Sequence, residues 1–119
     1  MSYCALAEMD IENTGFGHTL SLINGKYKMV ILYCLMGLGV VRYNELKRCI
    51  KNISHKTLST TLKELEADGL VHRKEYPQIP PKVEYSLTDQ GKSLIPILDS
   101  MCEWGEQHKA SLELLMPAA

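Results

Sequence analysis

Residues 54–68 combine hydroxyl and basic side chains with an apolar stripe at helical spacing. Leu58, Leu62 and Leu65 recur at positions i, i+4 and i+7, which is the pattern of an amphipathic helix with one buried face. At about 100° per residue, the opposite face carries side chains that can donate hydrogen bonds: Lys56, Ser59, Thr60 and Lys63, with Thr57 at its edge. A face of donors suits a partner rich in acceptors. The alternative interpretation is an ordinary solvated face.

The order of charges in this segment is the reverse of what a helix dipole favours. The basic residues come first and the acidic residues last: His55, Lys56 and Lys63, then Glu64, Glu66 and Asp68. Each misplaced exposed charge costs about 0.3–1 kcal/mol. Bound phosphates would reverse this cost, because they pair with lysines and suit the positive end of the helix, where Ser54 is a good N-cap residue. We therefore predict that the N-terminal part of this helix enters the major groove of DNA.

The distribution of charge along the chain points to the same kind of partner. The 119 residues carry a net charge of −1, but residues 42–82 hold nine Lys or Arg against five Asp or Glu. Residues 1–25 hold three acids and no Lys or Arg, and residues 85–119 hold five acids against two lysines. A basic middle between acidic ends predicts a local anionic partner.

Length and hydropathy limit the class of protein. A chain of 119 residues is expected to form one domain with a single core. The longest apolar run, residues 29–36, is far shorter than the ~20 residues that a membrane span needs. The first 25 residues lack the basic start of a secretory signal, so we expect a cytoplasmic protein with no membrane partner.

Four cysteines could supply thiol chemistry, but their spacing is not that of a zinc site. Without an export signal we expect reduced thiols, and we expect no metal and no cofactor. Cys34 and Cys102 have apolar neighbours typical of core packing. Cys49 has Arg48 and Lys51 nearby, which favours a reactive thiolate, although a half-buried filler is the alternative. Cys4 is expected to be exposed and is either a sensing thiol or inert.

Turn residues and changes of period define the elements in the first half of the chain. Asn and Gly residues predict a loose N-terminal arm at residues 1–17, followed by a short helix from His18 to Ile23. The apolar run at residues 29–36 fits either a buried strand or a buried helix, because periodicity does not distinguish them. A short helix is predicted from Tyr43 to Ile50, with Asn44 as its N-cap.

After the helix at residues 54–68 the apolar period changes from helical to alternating. Residues 70–76 and 82–88 are predicted to be strands joined by a proline-rich loop. Thr88 is expected to cap a final helix at about residues 89–116, in which Pro96 marks a kink or a restart. Two short helices, a hairpin and a long helix predict an α+β fold, mainly α, of the winged helix-turn-helix type.

Basic residues beside the groove helix are candidates for contacts with backbone phosphates. The predicted DNA-binding set includes Arg42, just before the short helix predicted from Tyr43 to Ile50. It also includes three residues of the hairpin, or wing: Arg73, Lys74 and Lys82. Taken alone, each of these residues fits an ordinary solvated charge as well as it fits a phosphate contact. Together with the groove helix they favour DNA over the second hypothesis, a winged helix that binds another protein.

The final helix carries a long apolar stripe that predicts a homodimer. At about 1.5 Å per residue the helix would span roughly 34 Å, more than a small domain needs for its own core. The residues predicted at the subunit contact share one stripe: Leu98, Met101, Trp104, Gly105, His108, Leu112 and Leu115. A core helix within one chain is the alternative. Two-fold DNA sites favour two-fold proteins.

An enzyme is not expected. Gly17 and Gly25 bracket seven residues where a phosphate-binding P-loop has four, and Tyr27 follows Lys26 where that loop needs Ser or Thr. The four histidines show neither metal spacing nor a catalytic triad.

Three segments resemble the HxlR family of MarR-like bacterial transcriptional regulators: INGKYKMVIL (23–32), RYNELKRCIKNISHKTLSTTLKELEADGLVHR (42–73) and YPQIPPKVEYSLTDQGKSL (76–94). A late Trp-Gly pair, Trp104 and Gly105, also fits, and the resemblance covers about residues 18–108. The family pattern has Gly where this chain has Asn24, Trp where it has Tyr27, and Phe where it has Tyr43. The two tyrosines keep an aromatic ring at their positions and so preserve ring packing.

The resemblance implies a domain at residues 18–119 with dimerisation helices at both ends. It also implies a dimer on a palindromic promoter site in double-stranded DNA. Several members of the family respond to electrophiles or oxidants through a cysteine ahead of the first Gly-Lys pair. Cys4 precedes Gly25-Lys26 in this chain, so a small electrophile or oxidant is an expected signal.

Overall fold

The computed structural model describes residues 10–115, with side chains as far as residue 110. Within this part of the chain the helices are α1 (Gly15–Ile23), α2 (Lys28–Leu38), α3 (Tyr43–Cys49), α4 (His55–Ala67), α5 (Asp89–Lys92) and α6 (Ile95–Leu115), preceded by a 3-10 turn at Ile11–Asn13. The strands are β1 (Val41–Arg42), β2 (Val71–Tyr76) and β3 (Lys82–Leu87). This element order confirms the predicted α+β class, mainly helical, with a hairpin wing.

Helices α3 and α4 form the predicted helix-turn-helix. The Ser54 hydroxyl accepts a hydrogen bond from the backbone N–H of Thr57 at 3.0 Å, as expected of an N-cap residue. The predicted helix from Tyr43 to Ile50 is present as α3, but its predicted cap was wrong, because Arg42 and not Asn44 occupies the N-cap position. The Arg42 backbone N–H donates to a carboxylate oxygen of Glu45 at 3.0 Å. Glu45 therefore satisfies an N-terminal amide of α3 from inside the first turn.

The first helix begins earlier than predicted. Helix α1 starts at Gly15 and not at His18, and residues 11–13 are already helical, so the predicted arm at residues 1–17 is too long. The Thr14 hydroxyl accepts a hydrogen bond from the Gly17 N–H at 2.9 Å. This cap stabilises a helical start that the two glycines alone would disfavour.

The ambiguous apolar run is a helix. Helix α2 buries Ile31, Leu32 and Leu35 almost completely, and Val30 and Tyr33 on its other side remain exposed. Burial at intervals of three and four residues fits a helix packed on one side. The helix ends at Gly39, whose φ of 81° is readily adopted only by glycine. Among the helices of residues 10–115, none has the length and apolarity needed to cross a membrane.

The wing belongs to a sheet with one more strand than predicted. All pairs are antiparallel and the order is β1-β3-β2, so the two-residue strand β1 extends the hairpin. Val41 lies opposite Tyr85, and both side chains are buried. Alternation along β3 directs Tyr85 and Leu87 to the core. A two-residue strand lacks enough alternation to be recognised from sequence alone.

The core lies where α4, α2 and the sheet meet. Leu58, Leu62 and Leu65 of α4 are each no more than 2% exposed. They belong to one cluster with buried residues of every neighbouring element, including Ile31, Leu32, Leu35, Leu46, Leu70 and Val71. Each fully buried leucine or isoleucine contributes about 1.5–3 kcal/mol relative to an exposed side chain. The burial of α4 therefore contributes strongly to the stability of the domain.

The predicted final helix is divided into two. Thr88 caps α5 by accepting a hydrogen bond from the Gly91 N–H at 3.0 Å, and α5 ends at Lys92. Helix α6 begins at Ile95 with Pro96 in its first turn, where a missing backbone N–H costs no helical hydrogen bond. The continuous helix at residues 89–116 was therefore wrong, and the restart at Pro96 was correct.

The end of α4 and the start of α5 approach each other closely. Gly69 has a φ of 79° and turns the chain into β2. The Thr88 hydroxyl donates to the Gly69 carbonyl oxygen at 2.6 Å, and the Thr88 N–H donates to the Leu70 carbonyl oxygen at 3.1 Å. A Cβ atom at Gly91 would overlap that Leu70 oxygen. Thr88 and Gly91, at the start of α5, therefore pack directly against the backbone of residues 69 and 70, which connects α4 to the wing.

We expect Gly91→Ala to lower the free energy of unfolding by about 1–3 kcal/mol, because the added methyl group meets backbone that cannot move aside easily. Gly37→Ala in α2 is the matched control, since nothing lies within 4 Å of the added methyl. The control should be neutral or stabilising by up to about 1 kcal/mol. Urea unfolding at one protein concentration measures both variants, and equal stability of the two would contradict the close approach.

Candidate nucleic-acid interface

The outward face of α4 presents three exposed polar side chains. Lys56, Thr60 and Lys63 are exposed, and Leu58 and Leu62 on the opposite side are buried. The buried leucines fix the rotation of the helix about its own axis, so the outward set is determined by packing. Three donors on a rigidly supported helix can contact phosphates and base edges.

Four other residues of the predicted groove helix already have partners within the chain. Ser54 caps the helix and its hydroxyl donates to the Thr57 hydroxyl at 2.9 Å, with Thr57 half-buried. His55 and Ser59 both contact the hydroxyl of Tyr43, at 3.2 Å to His55 Nδ1 and 3.2 Å to Ser59 Oγ. The predicted donor residues therefore lie on one part of α4. Only Lys56, Thr60 and Lys63 are both exposed and without one of these contacts inside the chain.

A polar cleft separates α4 from the wing. It has a volume of about 340 Å³. Its walls combine hydroxyl, cationic, acidic and apolar side chains: Tyr43, Ser59, Leu62, Lys63, Glu66, Arg73 and Tyr85. Arg73 is held by Glu75, with 2.9 Å between the guanidinium and the carboxylate. The cleft thus places Lys63 and Arg73, from two different predicted elements, along one surface.

The opposite face of the wing holds a second basic cluster around Tyr76. The Lys74 and Lys82 ammonium groups lie 4.9 and 4.7 Å from the centre of the Tyr76 ring, within cation–π range. The Tyr76 hydroxyl donates to Glu84 at 2.7 Å, and Lys82 pairs with the same carboxylate at 3.5 Å. The Tyr76 hydrogen bond and the Lys82 charge hold the pKa of Glu84 below its usual range. This cluster lies apart from Arg73, because neighbouring strand residues point to opposite faces.

Arg42 is exposed at the junction of β1 and α3, and its Cα is paired with that of Glu84 across the sheet. Its charge contributes to the lowered pKa of Glu84, after the larger effects of Tyr76 and Lys82. Arg42 therefore lies near the wing cluster and not on the outward face of α4.

The acidic end of α4 has a partner that the sequence did not reveal. Lys28, the first residue of α2, lies 3.2 Å from Glu64 and 3.9 Å from Asp68. Its side chain is only 12% exposed, so these ion pairs are shielded on one side. The reversed order of charges on α4 is thus compensated at its C-terminal end within the fold. Only the lysines near the N-terminus of α4 then lack a partner that offsets their unfavourable interaction with the helix dipole, and bound phosphates would supply it.

Three cysteines fall within the described residues. Cys49 is exposed at the last turn of α3, consistent with a reactive thiol. Cys34 is half-buried, and burial followed by the proximity of Cys49 raises the pKa of its thiol, which disfavours the thiolate. Cys102, predicted as a core residue, is exposed, with its sulfur 3.9 Å from the Tyr33 hydroxyl. That prediction was wrong because α6 extends beyond the core. Cys4 lies outside the described residues.

Apolar side chains are exposed on α1 and along a surface formed by α2 and α6. Phe16 is 70% exposed and Trp104 is 62% exposed. An apolar cleft of about 370 Å³ lies between α2 and α6 in the same surface. Its lining consists mainly of apolar side chains: Met29, Val30, Tyr33, Leu98, Met101 and Cys102. Exposed apolar surface of this extent is typical of an interaction site.

The predicted subunit-contact residues fall into four groups. Met101 and Trp104 are exposed in this surface, and His108 stacks on the Trp104 indole with 4.1 Å between ring centres. Gly105 is half-buried with open space at its Cβ position. Leu98 is only 6% exposed and packs against the core, but it also lines the apolar cleft, and its assignment to a subunit contact stays a prediction. The side chains of Leu112 and Leu115 lie outside the described residues.

Sequence reasoning missed three residues that organise this region: Lys28, Tyr43 and Tyr76. Each acts on residues distant in sequence or on a neighbouring strand, so no local spacing marks it. The one available signal was at Tyr43, a tyrosine where the HxlR pattern has phenylalanine. A hydroxyl added to a packed ring needs a partner when it is buried.

Comparison with protein families adds independent information. A family model described as HxlR-like helix-turn-helix matches residues 22–113, which include α2, the helix-turn-helix and the wing. The chain is 62% identical over 100 residues to an HTH-type transcriptional regulator from Halalkalibacterium halodurans. That alignment covers 84% of this chain and 88% of the relative.

Solved structures with the same architecture include two regulators studied in different chemical states. The redox regulator HypR in its reduced form is 46% identical with a TM-score of 0.78, and the match covers 84% of this chain and 98% of HypR. Its oxidised form gives a TM-score of 0.71 at 49% identity, covering 76% of this chain and 92% of that one. The reduced transcriptional regulator YodB from Bacillus subtilis gives 0.68 at 35% identity, covering 77% and 89%. These structures are winged helix-turn-helix regulators that this chain resembles.

Proposed function

The chain belongs to the HxlR-like helix-turn-helix family and is a transcriptional regulator of that type, and we propose that it binds a palindromic promoter site as a homodimer. In this proposal α4 enters the major groove, and the wing contacts the phosphate backbone. The observation that carries it is the exposed set Lys56, Thr60 and Lys63 on a helix whose opposite face is buried.

Phosphate contacts and base contacts are divided among these three residues. Lys56 lies in the first turn of α4, where its ammonium group reaches phosphates and the helix dipole also attracts negative charge. Thr60 follows one turn later and can contact base edges or a thymine methyl group. Lys63 and Arg73 on the cleft extend the positive surface towards the wing. Lys74 and Lys82, steadied by Tyr76, provide the wing contact to the backbone.

The homodimer is supported by the exposed apolar side chains of α1 and of the surface formed by α2 and α6. Phe16, Met101 and Trp104 are each more than half exposed in the single chain, which is unfavourable in water. A second copy that packs on the same surface would bury them and give an isologous contact. The two α4 helices would then read two half-sites related by two-fold symmetry, about one helical turn of DNA apart.

We also propose that a cysteine regulates DNA binding. The support is the likeness to HypR, described in reduced and oxidised forms, and to YodB, described in reduced and diamide-treated forms. Cys49 is exposed within the helix-turn-helix, where an adduct would disturb the packing of α3. Cys4 is proposed on the family resemblance, as the cysteine that precedes Gly25-Lys26 in the sequence. Modification acts only if it favours one arrangement of the dimer over another.

Lys56→Ala should weaken binding to every DNA duplex and lower the slope of log affinity against log salt by about one. Thr60→Ala should mainly change sequence preference, by about 1–3 kcal/mol at one base pair. The operator is obtained by selecting duplexes from a random library with the wild-type protein. Fluorescence anisotropy at several salt concentrations then measures each variant.

Lys109→Ala is the matched control, because it removes a lysine paired with Glu106 on α6, away from the proposed interface. It should bind like the wild type. Unchanged affinity and preference in both α4 variants, with folding intact, would contradict the assignment of α4. A wild-type protein without salt-sensitive DNA binding would favour the alternative, a winged helix that recognises another protein.

Met101→Glu should convert the dimer into monomers and reduce operator binding, because it places a charge in the apolar subunit contact. Ala110→Glu is the matched control: it adds the same charge about two and a half turns later, on the opposite side of α6. Sedimentation velocity measures the assembly state and anisotropy measures operator binding. The dimer proposal fails if the wild type already sediments as a monomer at the concentrations used for binding.

A quinone or aldehyde should lower the operator affinity of the wild type, and Cys4→Ser or Cys49→Ser should abolish this response. Cys102→Ser is the control and should respond like the wild type. Mass spectrometry locates the adduct, and a non-reducing gel detects any disulfide between subunits. If the double variant Cys4→Ser/Cys49→Ser responds as the wild type does, sensing at these two positions is wrong.

A further inference from the structure

The hydroxyl of Tyr43 makes contacts that the packing of its ring does not require. Tyr43 is the first residue of α3, and its ring stacks on the imidazole of His55 with 5.9 Å between centres and 12° between planes. Its hydroxyl lies 3.1 Å from the His55 carbonyl oxygen, 3.2 Å from His55 Nδ1 and 3.2 Å from Ser59 Oγ. One hydroxyl of α3 therefore contacts two consecutive turns of α4.

The three contacts are mutually compatible with one arrangement of protons. The His55 carbonyl oxygen can only accept, so the single proton of the Tyr43 hydroxyl is donated there. The phenol oxygen retains lone pairs that accept from the Ser59 hydroxyl and from His55 Nδ1, which then carries a proton. Each group has a partner in this arrangement. The network is consequently satisfied and can hold the start of α4 in one orientation.

This network divides the polar residues of α4 into two sets. His55 and Ser59 are turned towards Tyr43, and Ser59 is half-buried there. Lys56, Thr60 and Lys63 point to solvent. Packing of the leucines determines the outward set, and the hydroxyl of Tyr43, on the neighbouring helix, holds the residues of α4 that lie beside that set.

We propose that the Tyr43 hydroxyl is a positioning group for DNA reading: it fixes the first two turns of α4 and so sets sequence specificity. This inference rests on the proposed DNA-binding function. A phenylalanine, the residue of the HxlR pattern at this position, supplies the ring but none of the three hydrogen bonds. Specificity is sensitive to such positioning, because base-edge hydrogen bonds depend on direction and phosphate contacts much less so.

The test uses the full-length variant Tyr43→Phe, which keeps the ring and removes the hydroxyl. We expect its melting temperature to stay within about 4 °C of the wild type. Affinity for the duplex selected by the wild type should fall roughly tenfold, and affinity for a scrambled duplex should not change. The ratio of the two affinities is informative, because a general loss of stability would reduce both.

Two further measurements separate positioning from ordinary packing. Tyr27→Phe, the matched control, removes the hydroxyl of another half-buried tyrosine and should leave the affinity ratio unchanged. Ser59→Ala should lower specificity in the wild-type background and have much less effect in Tyr43→Phe, because the two residues share one network. NMR shifts of the His55 ring nitrogens in the free protein should show that Tyr43→Phe changes the position of the imidazole proton.

Each outcome decides a different claim. If the wild type enriches no sequence from the random library, the DNA-binding proposal fails, and the role of Tyr43 in DNA reading fails with it. If the wild type binds its selected duplex and Tyr43→Phe keeps the same affinity ratio, only the positioning role is overturned. Identical His55 nitrogen shifts in the two free proteins would overturn the network itself, whatever the DNA result.

Discussion

Burial of one leucine stripe on α4 is the constraint on which the rest of the molecule depends. Leu58, Leu62 and Leu65 are almost completely buried between α2 and the sheet. With a stripe on only one side, the helix has a single favourable rotation about its axis. The polar residues opposite the stripe must then face outwards, and they are the ones proposed to contact DNA. Stability and the proposed recognition surface therefore have the same physical origin.

Packing fixes the rotation of α4, and polar contacts hold its two ends. Near the N-terminus the Tyr43 hydroxyl contacts His55 and Ser59. At the C-terminus Lys28 pairs with Glu64 and Asp68. The first contact comes from α3 and the second from α2, so α4 is tied to two neighbouring elements. Lys28 is largely buried, but Glu64 and Asp68 are 52% and 36% exposed, so solvent partly screens both pairs and their main effect is to orient the end of α4.

The chain carries two surfaces of opposite character. The side with α4 and the wing is polar and includes most of the basic residues of the helix-turn-helix. The side with α2 and α6 is apolar, with Met101 and Trp104 more than half exposed. Helix α2 connects them: Lys28 contacts the end of α4, and Tyr33 lies beside Cys102 on the apolar side.

The sequence by itself determined the parts of the protein that depend on local periodicity and turn chemistry. The two faces of α4, its Ser54 cap, the strands of the wing, the restart at Pro96 and the family resemblance were all available from spacing and residue type. The tertiary structure alone decided that the apolar run is a helix and that β1 joins the sheet beside β3.

Tertiary structure also decided which side chains are engaged and which are exposed. Leu98 is buried and Cys102 is exposed on the same helix, although their neighbours in sequence are similarly apolar. Lys28 contacts acids far along the chain, and Tyr43 contacts the next helix. Sequence alone could not show these contacts because residues distant in the chain meet only after the elements pack. Periodicity fixes the face of each helix, and packing of the elements against each other decides what that face contacts.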